Sequence, residues 1–182
     1  MKKTLTILFS CGIVLNVRRV CMNKLKELYP YIGIVIVVVL IRSFLFTPAI
    51  VNGSSMQPTL NDKELVIVNK IGLKTSGLKR FDIVTAKYES DTLIKRVIGL
   101  PNETVEYVDN ELYINGKKVT SDLDFQYTHD FKLVTKDDEY ILLGDNRNIS
   151  KDSRVIGAFN IKDIKGKVGF VLFPFTKFGS VK

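Results

Sequence analysis

Cysteine is missing from the chain after Cys21, tryptophan is absent, and His129 is the single histidine. The first absence excludes a disulfide scaffold, a cysteine nucleophile and a thiolate metal site from everything downstream. A Ser-His-Asp arrangement or a histidine metal site would rest wholly on His129, which sits in a polar, turn-like stretch and reads as a surface residue. Acid–base chemistry is left to carboxylates and lysines. Long helical periodicity is missing after residue 47, as are repeats and low-complexity runs. A basic face is missing as well. The formal charge is +8, but residues 1–47 hold seven basic residues against Glu27 alone, whereas residues 48–182 hold 20 basic and 18 acidic ones. A globular part so nearly balanced argues against nucleic-acid binding.

The basic excess surrounds apolar sequence. Thr4–Val17 is an apolar run between Lys2-Lys3 and Arg18-Arg19. It has the start of a secretory signal but no small-x-small cleavage site, and it is short of the ~20 residues a spanning helix needs. Three readings remain for residues 1–21: a short first span, an interfacial segment, or an extension upstream of a start at Met22. Tyr31–Phe46 is more strongly apolar, with Arg42 as its one charge, placed where a long side chain can snorkel. A buried core helix is the alternative, but the run has no polar face and carries basic residues on one side, which favours a membrane span. The pattern predicts a transmembrane helix over 30–47, a cytoplasmic segment over 1–29, and residues 48–182 on the extracytoplasmic side of the plasma membrane by the positive-inside rule.

Beyond residue 48 the pattern is that of strands. Leu65–Asn69, Ile83–Tyr88, Leu93–Leu100, Thr104–Val108 and Leu112–Ile114 are short and rich in β-branched residues. Asp109-Asn110 and Asn115-Gly116 have the composition of hairpin turns, and Lys117–Thr120 follows as a partner strand. Ser121–Asp138 reads as polar and irregular; strands resume at Tyr140–Leu143 and Lys167–Phe173. The expected fold is mainly β, an antiparallel β-domain behind an N-terminal transmembrane helix. Phe170, Phe173, Phe175 and Phe178 read as core closure, with contact to a lipid surface as the alternative.

Three stretches carry groups able to do chemistry. Asn52–Leu60 reads N-G-S-S-M-Q-P-T-L: either a linker, or a loop presenting a serine, with Gly53 free to turn and Pro58 fixing its own φ. A serine nucleophile needs a base, and a lysine serves only if burial lowers its pKa from about 10.4. Lys95, in the apolar run T-L-I-K-R-V-I-G-L, fits that need; an edge-strand lysine reaching water fits the pattern equally. Its neighbour Arg96 cannot deprotonate and cannot be the base. Gly144–Arg154 (G-D-N-R-N-I-S-K-D-S-R) is either a solvated loop or a polar brace, in which Asp152 can pair with Arg154 and Asp145 with Arg147. Ser150 or Ser153 there could orient a lysine amine.

Together the three stretches resemble the bacterial type I signal peptidases with a Ser-Lys dyad, in a short, Gram-positive-like form. The S-M-x-P-T-L box matches Ser55–Leu60, K-R-V-I-G matches Lys95–Gly99, and G-D-N-R-x-x-S-x-D-S-R matches Gly144–Arg154, covering about residues 22–182. The resemblance implies a signal-peptidase/repressor-protease-like fold, Ser55 as nucleophile and Lys95 as general base. It gives supporting roles to Ser150 at the lysine amine, to Asp152 and Arg154 as a salt bridge, and to Gly53 and Met56 beside the nucleophile. Some members carry at the position of Gly53 a serine that helps hold the oxyanion, so here the second donor is either missing or supplied by Ser54 or a backbone N–H. Another departure is Phe81, where the family usually has glycine; a changed turn is the expected consequence. The implied partners are signal-peptide-bearing secretory preproteins and membrane lipid, acting on a monomer without metal or cofactor. Rival readings are a dedicated Ser-Lys processing peptidase and an inactive tethered β-domain that only binds exported chains.

Overall fold

The computed structural model of the protein describes residues 27–40, 45–123 and 125–181, and the chain divides into two units, Met1–Ser43 and Phe44–Lys182. Residues 1–26, with both cysteines and the first apolar run, and residues 41–44, with Arg42, lie outside the described residues. In the first unit residues 27–40 form helix α1, apolar on all sides from Ile32 to Leu40 and exposed along its length. No helix among the described residues is long and apolar enough to cross a membrane. One end of the expected span needs correction: Phe46 and Thr47 belong to a strand, β1 (Phe46–Ile50). The reason is tertiary. β1 runs antiparallel to β2 (Leu65–Asn69), Phe46 facing Asn69 and Ile50 facing Leu65. Pro48 is tolerated because β1 is an edge strand, where a missing N–H interrupts no second ladder.

The second unit is mainly β and antiparallel. Chain order continues with α2 (Ile71–Ser76), β3 (Ile83–Tyr88), β4 (Asp91–Gly99), β5 (Thr104–Val108), β6 (Glu111–Ile114), β7 (Lys117–Lys118), β8 (Phe131–Val134) and β9 (Glu139–Leu143). It closes with α3 (Ser153–Ile156), β10 (Phe159–Asn160), β11 (Ile164–Phe173) and β12 (Gly179–Ser180). The larger sheet runs β1-β2-β11-β3-β4-β9-β10 with β12 on β11; the smaller runs β7-β6-β5-β8. Both predicted hairpin turns form, with Asp109, Asn110, Asn115 and Gly116 all at positive φ, the geometry that matches strand twist in a two-residue turn.

Two expectations fail. Ser121–Asp138 is not irregular throughout: Phe131–Val134 pairs with β5, turning Phe131 and Leu133 inward, and Phe131 stacks on Tyr107 at 5.3 Å. Four residues with two lysine-flanked apolar positions give too weak an alternation to read without the partner strand. The terminal aromatics do not close the core either. Phe173, Phe175 and Phe178 are 52%, 79% and 58% exposed and meet only in edge-on ring pairs, Phe173 with Phe175 and Phe170 with Phe178. The core is instead built by strand residues in three clusters. One of them takes Val51, Met56 and Leu60 from the loop between β1 and β2 and packs them on Val66, Val68 and Val168. That loop is thereby a packed element and not a linker.

β4 is the strand that positions the chemistry. It pairs with β3 along Asp91–Arg96, while β9 meets it only at Arg96, Val97 and Gly99. The Asp91–Lys95 part therefore presents its second edge to a groove.

Candidate active site

The loop after β1 is drawn shut at its base: Val51 N–H donates to the Glu64 carbonyl and Lys63 N–H to the Val51 carbonyl, both at 2.8 Å. Gly53 takes φ +88°, a conformation open to glycine, and its N–H donates to Asp62 Oδ1 at 2.7 Å. Two turn bonds follow, Gln57 N–H to the Ser54 carbonyl at 3.2 Å and Leu60 N–H to the Met56 carbonyl at 2.9 Å. With Met56 and Leu60 buried beneath, this turn holds Ser55 half-buried at its start.

Lys95 reaches the same point from β4. Its side chain is 2% exposed, and Nζ stands 2.7 Å from Ser55 Oγ. Burial pushes the ammonium down from 10.5 to about 8; Asp152 and then Asp145 attract the charge and oppose the shift, and Arg154 adds to it. An amine so placed is neutral in about a tenth of the molecules at pH 7 and about half at pH 8, far more than an exposed lysine, as a base for a serine hydroxyl must be. Of the two readings of Lys95, the snorkelling edge lysine is the one the burial removes. A groove of about 70 Å³ between Ile50–Asn52 and Thr92–Lys95, with Ser55 and Met56 also lining it, opens onto this pair.

The Gly144–Arg154 stretch lies against the same turn. Asn146 N–H donates to the Ser55 carbonyl at 3.1 Å. Asp152 is fully buried and caps α3. Its carboxylate accepts from Gly144 N–H at 3.0 Å and from Arg154 Nε and Nη2 at 2.9 Å each. Burial alone would raise the Asp152 pKa; the bonds from Arg154 and Gly144, with the nearby Ser150 hydroxyl adding its pull, outweigh it and hold the carboxyl below its ordinary value. Ser150 is 8% exposed. Its Oγ aids Asp152 electrostatically but makes no hydrogen bond of good geometry among the described residues, to Lys95 or otherwise. Ser153, the other hydroxyl considered for that task, instead accepts Leu142 N–H at 2.8 Å.

Asp145 does not pair with Arg147. It binds Arg96, through Nε to Oδ1 at 2.8 Å and Nη2 to Oδ2 at 2.7 Å, both side chains 1% exposed. Thr59 Oγ1 donates to the same carboxylate at 2.5 Å. Arg96 also donates to the Phe81 carbonyl at 2.9 Å. Phe81 takes φ +72°, a left-handed conformation that costs a residue with a side chain about 1–2 kcal/mol. Arg147 instead lies over the rings of Phe125 at 4.5 Å and Tyr107 at 5.2 Å, with Nε on the Gly144 carbonyl. His129 is exposed and far from playing any part, its ring set edge-on against Tyr127.

Thr59, Asp145 and Arg96 thus form a buried tie that the sequence did not reveal. The available signal was an arginine in an apolar strand: a buried guanidinium requires a carboxylate, but which one is decided by folding. Gly144 was likewise overlooked as a site residue. A Cβ there would fall 2.2 Å from Ser150 Oγ and 2.5 Å from the Ser55 carbonyl. Gly144→Ala should therefore displace the Ser55 turn or Ser150 and lower kcat/KM by about 10²-fold, the scale of a 1 Å misplacement; cleavage kinetics beside a thermal melt would check that the loss exceeds any unfolding.

A serine hydroxyl at a buried amine, beside an open strand edge in an antiparallel β-domain, is a constellation suited to peptide hydrolysis. The sequence profile of the family "Signal peptidase, peptidase S26" matches residues 25–173. The chain is 42% identical over 161 residues to the signal peptidase I of Bacillus amyloliquefaciens, covering 81% of this chain and 87% of that one. It is 37% identical over 164 residues to signal peptidase IB of Staphylococcus aureus, covering 79% and 86%. A crystal structure of a signal peptidase I from Enterococcus faecalis aligns at 35% identity with a TM-score of 0.46, covering 50% of this chain and 95% of that one. The chain belongs to the signal peptidase family, peptidase S26; it is an enzyme, a serine peptidase.

Proposed function

We propose that this protein is a membrane-anchored endopeptidase that removes N-terminal signal peptides from exported preproteins through a Ser55–Lys95 dyad. The observation that carries the reading is the 2.7 Å contact of Lys95 Nζ with Ser55 Oγ, made by an amine whose pKa burial has lowered to about 8.

In the proposed reaction the cleavage segment enters the groove beside β4 as an added extended strand, bonded by main chain to the free edge with alternate side chains turned into the wall. Narrow walls favour small residues before the cut, each excess methylene costing about 1–3 kcal/mol of discrimination. Neutral Lys95 takes the Ser55 proton as Oγ attacks the scissile carbonyl. The Ser55 N–H donates to the developing oxyanion. Protonated Lys95 then returns the proton to the leaving amine, and in the second half activates a water that hydrolyses the ester. Gly53 has no side chain to offer and its N–H is engaged by Asp62, so it contributes no oxyanion donor in this arrangement. The Asp152–Arg154 salt bridge braces the stretch that carries Ser150, and the Asp152 charge acts on Lys95. The apolar run continuing from α1, flanked by basic residues, is the proposed anchor. It shares the substrate's membrane and raises the effective concentration of a membrane-bound precursor.

The working form is neutral Lys95, so the pH–rate profile tests the reading. kcat/KM should rise about tenfold per pH unit below a pKa near 8, and level off above it. At pH 6 it should be about a hundredth of the plateau. A profile flat between pH 6 and pH 9 would remove Lys95 as the base.

A further inference from the structure

The groove beside β4 is small, about 70 Å³. A second groove, of about 360 Å³, opens at the same turn and is lined by Gln57, Pro58, Asn61, Phe125 and Gln126. Its volume lies in the range of ligand-binding clefts, about 300–1,000 Å³. The two grooves share no lining residue: Ile50–Asn52, Ser55 and Met56 face the first, and Gln57, Pro58 and Asn61 face the second. Ser55 and Gln57 are two residues apart within one turn, closed by the Gln57 N–H to Ser54 carbonyl bond. A chain bound along β4 with its carbonyl at Ser55 Oγ runs on past this turn, whose Gln57–Asn61 part lines the second groove.

The far wall is held in place by the site itself. Phe125 lies under the guanidinium of Arg147 at 4.5 Å and beside that of Arg96 at 5.7 Å. Asn148 Nδ2 donates to Gln126 Oε1 at 3.4 Å. The wall is thus tied both to the strand that carries Lys95 and to the Gly144–Arg154 stretch. Its five lining residues carry no formal charge. Three of them are amides, each able both to donate and to accept, and so suited to peptide groups of any sequence. Pro58 and Phe125 add apolar faces for small side chains.

On the proposed function we infer that this second groove is a subsite for the mature side of the substrate, and that Gln126, with Gln57 and Asn61, binds the first few residues after the cut. The chemical class it takes is an extended, uncharged polypeptide segment. Binding energy gathered there, remote from the reacting bond, serves to position the scissile carbonyl.

The test uses the full chain in detergent or liposomes and two substrates with identical sequence up to the cut. One continues through several mature residues; the other ends, as an amide, after the first. Wild type should cleave the long substrate about tenfold better in kcat/KM than the short one. Gln126→Ala should reduce that ratio several-fold, mainly through KM, with little change on the short substrate. Gln126→Trp, which fills the groove, should take the ratio to about one or below. Equal cleavage of both substrates by wild type overturns the inference and leaves the Ser55–Lys95 reading standing. Parallel losses on both substrates in the Gln126 variants also overturn it, because they indicate a structural role. Retained activity in Ser55→Ala would instead remove the proposed function on which the inference rests.

Discussion

Lys95→Met is expected to abolish cleavage of a model preprotein and at the same time to stabilise the protein at pH 7. The loss follows from the only base within reach of Ser55 Oγ among the described residues, at 2.7 Å. Without it the hydroxyl keeps its proton, and kcat should fall by about 10³-fold or more. Ser55→Ala should lose as much, and the double replacement no more than either alone, because nucleophile and base act as a unit. The gain follows from the same burial. The folded-state pKa is about 8 against 10.5, so below pH 8 the ammonium is charged in both states and its desolvation weighs on the fold alone. As pH rises from about 8 to 10.5 the folded chain loses that proton first, and stability rises through this window. Methionine fills similar space without a charge and should raise stability at pH 7 by about 1–3 kcal/mol. Denaturant melts of wild type and Lys95→Met at pH 7 and pH 10 measure this: the difference should shrink at the higher pH. Equal stability at both would mean that Lys95 is not held against its own charge, and preprotein cleavage by Lys95→Met would remove it from the reaction.

Asp145→Ala is expected to be the most destabilising single change near the site. It removes one carboxylate from Arg96, which is 1% exposed and cannot neutralise itself, and it takes from Thr59 Oγ1 the acceptor at 2.5 Å. Breaking a buried ion pair from one side costs about 3–5 kcal/mol. Thr59→Val should cost about 1 kcal/mol, the worth of one hydrogen bond. Replacing both charges, Arg96→Met with Asp145→Leu, should recover most of the stability while activity stays low. The pair also joins β4, which carries Lys95, to the Gly144–Arg154 stretch and, through Thr59 Oγ1, to the turn that carries Ser55, and an apolar substitute would not hold that register. Urea melts of the two single variants and the double give the coupling energy; additive costs would show that the pair is not a pair in solution.

These two expectations draw on different sources. Ser55 and Lys95 were legible in the chain as candidates: the lack of cysteine and of a second histidine narrowed the choice of base to groups such as Lys95, and the family resemblance of its short stretch singled out Ser55 over Ser54. β2, β3 and β5 and both hairpin turns were legible as well: their signals are local, β-branched runs bounded by Asp-Asn and Asn-Gly. The partner of Asp145 was not. Its local neighbour Arg147 satisfied every sequence rule for a pair, yet Arg96, 49 residues away, holds the carboxylate. Choosing between two arginines depends on which strand crosses beneath the loop.

The same division runs through the rest of the molecule. By itself the sequence determined a β-rich domain, a serine loop, a lysine in an apolar run and a polar brace, since composition and short-range pattern act over a few residues. Only the tertiary structure decided that Phe46–Ile50 leaves the apolar run to become a strand, since that strand exists through its register with Leu65–Asn69. Only the tertiary structure decided that Phe173, Phe175 and Phe178 stand exposed, since apolar character does not say which surfaces remain to be covered. And only there does Lys95 acquire its lowered pKa, because desolvation is a property of everything that surrounds the amine and not of the strand that carries it.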